Sequence, residues 1–363
     1  MRQYLIPEDG QFYKANMHTH TICSDGQMTP RQIKELYKSV GYSVVAFTDH
    51  DIMIDHSDLN DENFLAITAY EVETNRPTDG FDAWDRTPTY HLNFYASRPD
   101  ETFYPCANPG YTWGNARALV QEYYKGDYQR RYSVEGQNDM IAKATEAGFL
   151  VSYNHPDWSL QHYPDYAGLE GLHTIEVYNT GCVRAGYTLD AAEHAFQDML
   201  AQGKRVFPVA TDDVHTVKEA LGGWICVKAK ALTYDDYMAA YRRGDFYASW
   251  GPAVEDLYLE DGVLHVFCSG AQEISLHTER RVARRAVAAD GPLTSAEFDL
   301  KQYFDNVHRG GNDARAFVRL VLTDKEGNKA LTRAYFADEL SLSARGLTEP
   351  KILDLWELYA IFH

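Results

Sequence analysis

The sequence predicts an α/β fold, built as a sheet or barrel, followed by a small all-β domain. Short apolar runs alternate with amphipathic helical stretches between residues 15 and 250, and this β-α-β rhythm is typical of parallel sheets. The helical pattern stops after Gly251-Pro252, and strand-like segments joined by turns such as Asp261-Gly262 follow. The predicted units are an α/β barrel over 1–251, a β-sandwich-like domain over 252–340 and a tail over 341–363 that packs on the body.

The elements of both units follow from the pattern of apolar residues. Strands are predicted at 44–48, 65–70, 91–95, 149–153, 174–178, 206–211 and 224–227, and in the second unit at 263–268, 273–276, 316–323 and 331–336. Helices are predicted at 30–40, 116–125, 140–147, 189–201 and 234–242. Thr29-Pro30 supplies an N-cap and an N1 proline for the first helix. Four helices are followed by a glycine, as a C′ residue often is, at 41, 148, 203 and 244.

Composition limits the class of partner. The 363 residues carry a formal net charge of −19, which repels the phosphates of nucleic acids and anionic membrane surfaces. The five cysteines are scattered without a C-x-x-C pair, so neither a disulfide framework nor a zinc knuckle is expected. No apolar stretch reaches the ~20 residues that span a bilayer, and residues 1–16 lack a signal-peptide pattern. These features predict a cytoplasmic protein without nucleic-acid or membrane partners, and they leave its oligomeric state open.

Two segments, 74–90 and 97–115, interrupt the regular rhythm of the first unit. Both are rich in Pro, Gly, Asp and aromatic residues, and both are longer than ordinary connections. Long loops in α/β folds often cover functional sites, so these two are expected to shape a substrate pocket.

Histidines and carboxylates recur at the ends of the predicted strands. His18 and His20 stand at i and i+2 of a strand, so both rings can reach one ion. Ser24-Asp25-Gly26 is a turn that can return a carboxylate toward them, although an ordinary Asx-turn is an alternative interpretation. The other candidates follow or open apolar strands and are Asp49, His50, Asp51, Glu71, Glu73, His91, His155, Asp212, Asp213 and His215.

Each candidate also has an ordinary interpretation, such as a solvated acid or a hydrogen-bonded core histidine. Their joint placement is the stronger observation, because accidental positions would scatter along strands and helices. Parallel α/β folds collect the ends of their strands at one face, where functional groups lie. The sequence therefore predicts one cluster of imidazoles and carboxylates.

A series of motifs occurs in order along residues 14–250: His-x-His, Ser-Asp-Gly, Thr-Asp-His-Asp, Glu-Val, a strand histidine, Asn-His-Pro and Asp-x-His. This series resembles the polymerase and histidinol phosphatase (PHP) family of metallohydrolases. The resemblance implies a distorted seven-stranded (β/α) barrel holding two or three divalent ions, usually zinc, manganese or iron. The residues that match the family's ligands are His18, His20, Asp25, His50, Glu71, His91, His155, Asp213 and His215. Among these, the resemblance implies catalytic roles for Glu71, Asp213 and His215.

The resemblance also implies how the ions are shared. The implied sets are His18, His20, Glu71 and Asp213 for one ion, Glu71, His91 and His155 for a second, and Asp25, His50 and His215 for a third. Glu71 is preferred to Glu73 because it matches the family's Glu-Val step. Beside the ligands, Asp49 and Asp212 are expected to orient imidazoles, and Asn179 and Arg184 to contact an anion, with solvated or surface roles as the alternatives.

A closer likeness covers residues 175–182, 210–215 and 244–252, which resemble a branch of the family that includes aryl-carbamate hydrolases. The prediction is a metal-dependent hydrolase, most directly a phosphoesterase that hydrolyses a small-molecule phosphate ester through a hydroxide bridging the ions. Hydrolysis of a carbamate, amide or ester is the alternative on the same site, and a non-catalytic metal-binding or scaffolding protein is the alternative of another class. An amidohydrolase barrel is disfavoured by the Asp213-x-His215 pair, and a serine hydrolase by the lack of G-x-S-x-G.

Overall fold

The computed structural model describes residues 2–77, 84–120, 122, 124–281, 283–300 and 315–341. The first group of strands is β1 Arg2–Tyr4, β2 Gln11–Asn16, β3 Val44–Phe47, β4 Leu65–Asn75, β5 Thr89–Tyr95, β6 Leu150–Tyr153, β7 Thr174–Asn179, β8 Phe207–Thr211, β9 Trp224–Ala229 and β10 Phe246–Ser249. The second group is β11 Val254–Glu260, β12 Val263–Ala271, β13 Glu273–Thr278, β14 Arg284–Val287, β15 Leu293–Asp299, β16 Phe317–Thr323, β17 Lys329–Thr332 and β18 Tyr335–Phe336. The α-helices are α1 Pro30–Lys38, α2 Ala116–Leu119, α3 Val134–Glu146, α4 Tyr163–Tyr166, α5 Thr180–Ala185, α6 Asp190–Ala201 and α7 Tyr234–Arg243.

Local sequence explains where the helices begin and end. The Thr29 side chain accepts from the Gln32 amide, Gln32 returns the bond to the Thr29 amide, and Pro30 fills the first helical position of α1. Helix α7 ends at Gly244, whose φ of 73° is the left-handed conformation that glycine adopts without strain. The predicted helix over 116–125 ends earlier, at Leu119, because Val120 has left helical geometry at ψ 118°.

A large mixed sheet forms most of the body, so the α/β class is observed. Strands β2, β3 and β4 are parallel, β5 is antiparallel to β4 and β6, and β6, β7 and β8 are parallel. On the other side of β2, β9 is antiparallel and leads to β10 and β17. No continuous ladder joins β8 to β2 in the described ranges; their extensions meet at an isolated parallel bridge between Thr19 and Val214.

The strands after residue 251 contribute to both sheets. Because β10 pairs with β17, the large sheet continues through β16 and β13 to β14. The smaller sheet has the order β1-β11-β12-β15, so Arg2–Tyr4 pairs with strands from the C-terminal part of the chain. The division into units at residue 251 stays a prediction, and of the predicted tail only Ser341 lies among the described residues.

The core is divided among several apolar clusters. One includes Leu92, Phe94, Met140, Ile141 and Val177, where β5 and β7 pack with α3. Another fills the space between the two sheets of the C-terminal part. None of the helices in the described ranges combines the length and apolarity needed to cross a bilayer.

Candidate metal centre

The parallel strands bring their carboxyl ends, and the antiparallel β5 its amino end, to one side of the sheet, where the nine predicted ligands converge. Two follow β2, one lies in the next turn, one follows β3, and the others come from β4, β5 and the segments after β6 and β8. Each of the nine has a ligand-type atom within 3.8 Å of another member of the set. They are His18, His20, Asp25, His50, Glu71, His91, His155, Asp213 and His215.

Glu71 lies at the middle of this cluster and is almost completely buried. Its Oε1 lies 3.0 Å from Nδ1 of His91 and 3.3 Å from Nε2 of His18. Its Oε2 lies 3.2 Å from Nε2 of His20 and 3.4 Å from Nδ1 of His50. One carboxylate therefore contacts imidazoles that come from three separate parts of the chain: the segment after β2, the segment after β3, and strand β5.

Asp213 forms a second carboxylate position. Its Oδ1 lies 3.2 Å from Nε2 of both His18 and His20, while its Oδ2 lies 3.6 Å from Nε2 of His155. Asp213 and His155 have positive φ values, 53° and 25°, which L residues adopt rarely and mostly at functional sites. The backbone thus accepts strain at the two positions that turn these side chains toward the cluster.

Asp25 forms the third carboxylate position, at the more open side of the cluster. Its carboxylate oxygens lie 3.4 Å from Nε2 of His215, 3.5 Å from Nδ1 of His20 and 3.8 Å from Nε2 of His50. The side chains of the implied third set therefore lie close together, and His20 lies with them.

The other implied sets overlap in the structure. His18, His20 and Asp213 form one compact group, and Glu71 contacts both histidines. The second implied set also gains a neighbour, because His50 joins Glu71 and His91 in a compact group. His155 reaches Glu71 at 3.4 Å and Asp213 at 3.6 Å, so it lies between two sets.

Burial and neighbouring charges fix the protonation states that matter for metal binding. Burial disfavours ionisation of Glu71, but the imidazoles of His18, His91 and His50 outweigh it, so the pKa of this carboxyl lies well below its usual value. Burial, together with the nearby His20, lowers the pKa of His50 to about 3. Glu71 is therefore anionic and His50 neutral, the forms in which these side chains bind metals.

The donor atoms of the cluster fit divalent ions. Nδ1 of His50, Nε2 of His91 and Oδ1 of Asp213 are buried without a hydrogen-bond partner, a costly state unless another ligand satisfies them. Nε2 of His18 and Nε2 of His20 lie 3.1 Å apart beside two carboxylates, as ligands of a shared cation do. These groupings are consistent with a metal-dependent hydrolase.

Three buried polar residues that sequence reasoning did not single out support the ligands. Glu176 accepts a hydrogen bond from Nδ1 of His18 at 2.6 Å and one from the Thr211 hydroxyl at 2.8 Å. Asn154 donates to Oε1 of Glu71 at 2.8 Å, and Asn16 accepts from the Asp212 amide at 3.0 Å. The signal for Glu176 was present, because it is a single acid inside the apolar strand 174–178.

The two aspartates expected to orient imidazoles have other partners. Asp49 accepts from the amide of Thr21 at 2.7 Å and from the hydroxyl of Ser24 at 2.7 Å. Asp212 accepts from the hydroxyls of Tyr37 and Thr180 and from three backbone amides at residues 221–223. The expectation is corrected for both, because hydroxyl and amide donors, and not the imidazoles of the cluster, hold these two carboxylates.

The two residues expected to contact an anion differ in placement. Asn179 is buried and donates to Oδ2 of Asp213 at 3.2 Å and to Oε2 of Glu176 at 3.0 Å, so it anchors a ligand. Arg184 is exposed on α5 and is not among the residues that line the cavity over the cluster.

A cavity of about 390 Å³ opens over the cluster. Trp113 and Trp158 form its aromatic walls, with the Trp113 ring 5.4 Å from His50 and the Trp158 ring 5.2 Å from His91. Neither lysine nor arginine is among the lining residues in the described part of the chain. Trp113 comes from the predicted loop 97–115, so this loop forms part of the pocket wall, while 78–83 of the other loop lie outside the described residues.

Comparison with known proteins gives likenesses in structure alone. No family model and no curated protein match the sequence. A two-domain protein from Bacteroides vulgatus containing a predicted PHP-like metal-dependent phosphoesterase has a TM-score of 0.44 and 15% identity over 92% of this chain and 97% of its own. A candidate metal-dependent phosphoesterase from Bifidobacterium adolescentis has a TM-score of 0.36 and 17% identity, covering 64% and 95%. An amidohydrolase from Chromobacterium violaceum has a TM-score of 0.37 and 14% identity, covering 64% and 96%. At these identities and TM-scores the likenesses assign no activity to this chain.

Proposed function

We propose that the chain is a PHP-type metal-dependent hydrolase that acts as a phosphoesterase on a small-molecule substrate. The observation that carries the proposal is the convergence of nine imidazole and carboxylate side chains, from distant parts of the chain, around Glu71 and Asp213. The strands β2 to β8, whose edges approach at Thr19 and Val214, would form the seven-stranded barrel of that family.

The residues present would hold two or three divalent ions, with Glu71 and Asp213 shared between positions. Zinc, manganese and iron all suit histidine and carboxylate donors. When bound, such ions lower the pKa of a nearby water and neutralise charge that develops on substrate oxygens.

The chain's own groups supply position and charge around the reacting atoms. Glu71 and Asp213 carry the negative charge that retains cations, and Glu176 and Asn179 hold His18 and Asp213 in place. His215, with 30% of its side chain exposed, lies at the more open side of the cluster, where it can meet the substrate. Trp113 and Trp158 restrict the access of water to the buried carboxylates.

A second candidate activity, hydrolysis of a carbamate, amide or ester, is favoured by the chemistry of the cavity wall. Two tryptophans suit a flat apolar group, and the lining residues of the described chain include no cationic side chain for a phosphate. A non-catalytic metal-binding role is less well supported, because a closed structural site has no use for a cavity of about 390 Å³ over its ligands.

The test is removal and restoration of the metal. The full-length protein is stripped with a chelator, the loss of metal is verified by elemental analysis, and hydrolysis of aryl phosphate, carbamate and ester substrates is measured before and after addition of Mn²⁺ or Zn²⁺. Activity is expected to disappear and return. The variant His20→Ala is expected to lose at least one ion. Unchanged hydrolysis by protein with verified metal loss would contradict the proposal, and the preferred substrate series decides between the two activities.

A further inference from the structure

A second group of metal-ligating side chains lies beside the candidate metal centre and uses none of its nine residues. The Sγ of Cys23, a carboxylate oxygen of Asp49 and a ring nitrogen of His56 all lie within 4.8 Å of one another. Cys23 lies in the turn after β2, Asp49 follows β3, and His56 precedes the 3-10 turn Ser57–Leu59. Three separate segments therefore bring together a thiol, a carboxylate and an imidazole.

The state of each donor suits a cation at this place. Nε2 of His56 is buried without a hydrogen-bond partner, although its ring is fixed against Phe47 with centroids 4.7 Å apart. Such an atom is costly to bury unless something satisfies it. Cys23 is half-buried and carries a free thiol. A thiolate and an imidazole are both preferred zinc ligands.

Asp49 is fixed before any ligand binds. Its carboxylate accepts from the amide and hydroxyl of Thr21 and from the hydroxyl of Ser24. An ionised carboxylate offers about four acceptor sites, so these three donors leave one for a cation. The carboxylate is only 2% exposed, which protects that remaining site from competition by solvent.

The surroundings are acidic. Asp55 and Asp58 lie close enough to His56 to act on it electrostatically, in addition to Asp49. Their charges favour a cation over a neutral occupant at this position.

We propose that Cys23, Asp49 and His56 bind one thiophilic divalent cation, such as Zn²⁺, at a site separate from the candidate metal centre. Three protein ligands and one water complete the four-coordinate geometry that zinc prefers. Cys23 precedes Asp25 by two residues, and Asp49 is next to His50, so the ion ties together the two loops that deliver these side chains.

Cobalt reports on this site by its colour. Protein stripped of metal is reloaded with Co²⁺, and the near-ultraviolet absorption is recorded together with the cobalt bound per chain. A thiolate ligand gives cobalt a charge-transfer band, which histidine and carboxylate ligands do not give. The native protein is expected to show the band. Cys23→Ser is expected to lose the band and one cobalt per chain.

Two controls separate this site from the candidate metal centre. Cys182→Ser replaces the thiol that lines the large cavity and is expected to keep the band. His91→Ala disturbs the candidate metal centre and is also expected to keep it, so the result does not depend on the proposed hydrolase activity. Reloaded native protein without the band, or a band that survives Cys23→Ser, overturns the proposal, as does a band lost in Cys182→Ser.

A second measurement uses the native thiol and needs no cysteine variant. Alkylation of Cys23 by a maleimide, located by mass spectrometry, is expected to slow at least tenfold when Zn²⁺ is added to stripped protein. His56→Asn is expected to abolish this protection. Equal alkylation rates with and without Zn²⁺ in the native protein contradict the proposal.

Discussion

Nδ1 of His91 lies 3.0 Å from Oε1 of Glu71, although the backbone partner of His91 in the β4–β5 ladder is Glu73. Residues two apart in a strand share a face, so both glutamates point to the same side, and a diagonal contact selects Glu71. Both line the cavity, but Glu71 is 1% exposed at the middle of the cluster, whereas Glu73 is half-buried and accepts a hydrogen bond from the Asn75 side chain. Glu71 and Glu73, which share one face of the predicted strand, thus lie in different environments.

The substitution Glu71→Gln tests this difference, with Glu73→Gln as its matched control. Glutamine preserves shape but removes the charge that neutralises ions, so Glu71→Gln should lose bound metal and reduce hydrolysis by more than about 100-fold. Glu73→Gln should keep its metal content. Elemental analysis and initial rates measure both effects. Full metal content in Glu71→Gln would show that this carboxylate is not a ligand.

The sequence predicts which residues lie at the ends of strands better than it predicts which side chains those residues contact. The apolar run 44–48 predicted β3, and several of the polar residues that follow such runs lie close together in the structure, because the strand ends meet at one side of the sheet. The partners of Asp49 and Asp212 were not predictable, since they depend on hydroxyls and amides far away in the chain. Strand β2 begins at Gln11, before the predicted start of the pattern at Ala15, and its residues 11–14 are exposed or only half-buried.

Glu176 is expected to act as a positioning residue for His18. Its carboxylate, 2.6 Å from Nδ1 of His18, orients the ring so that Nε2 faces the cluster. Glu176→Gln should weaken metal binding about 10- to 100-fold, by analogy with loss of other carboxylate partners of ligating histidines. Titration with a competing chelator measures the affinity. Glu170→Gln, at an exposed acid, is the control, and equal affinities in both variants would contradict the role of Glu176.

Trp113 should contribute to substrate binding without contributing to metal binding. Its ring lies 5.4 Å from that of His50, on the wall of the cavity, and 41% of the residue is exposed. Trp113→Ala should raise KM for aryl substrates about tenfold, as expected when stacking area is lost, and should leave the metal content unchanged. Trp250→Phe, which alters a tryptophan stacked on Tyr178 outside the cavity lining, is the control. A similar KM increase in both variants would point to general destabilisation.

His173 should make stability depend on pH. Burial lowers its pKa from 6.5 to about 4 in the folded chain, although the ring donates a hydrogen bond to the Tyr241 carbonyl at 3.0 Å. At pH values between 4 and 6.5 the unfolded chain binds this proton more tightly than the folded chain does. The contribution of neutral His173 to the free energy of unfolding is therefore fully present above pH 6.5 and falls as the pH decreases toward 4. The expected loss is about 2 kcal/mol, below the full linkage value because His173 as a whole residue is only half-buried.

Denaturant unfolding at a series of pH values, in the presence of chelator, measures this loss. His173→Gln should remove about 2 kcal/mol of the pH-dependent change, while His194→Gln, at an exposed histidine of α6, should leave it unaltered. Identical pH profiles for the native protein and His173→Gln would assign the dependence to other groups.

The buried ion pair between Arg130 and Asp51 should be worth more to stability than the exposed pairs. Both side chains are almost inaccessible, and NH1 of Arg130 also donates to the Glu73 carbonyl at 2.7 Å. Arg130→Met would leave the Asp51 carboxylate buried without its partner, which costs about 3–5 kcal/mol of unfolding free energy. Arg98→Met, at a pair with Glu101 on the surface, should change the free energy of unfolding far less than Arg130→Met does.

The double variant Asp51→Asn with Arg130→Met distinguishes the ion pair from other losses at this position. If the uncompensated Asp51 charge causes the destabilisation, removing it should restore most of the lost free energy, and the coupling in the double-mutant cycle should exceed about 1 kcal/mol. If stability is not restored, the loss comes instead from the hydrogen bond to the Glu73 carbonyl or from the packing of Arg130 on Tyr111, whose ring centroid lies 4.2 Å from the guanidinium carbon. Because Asp51 directly follows His50 and has a φ of 55°, metal content measured on the same variants tells whether the pair also positions that imidazole.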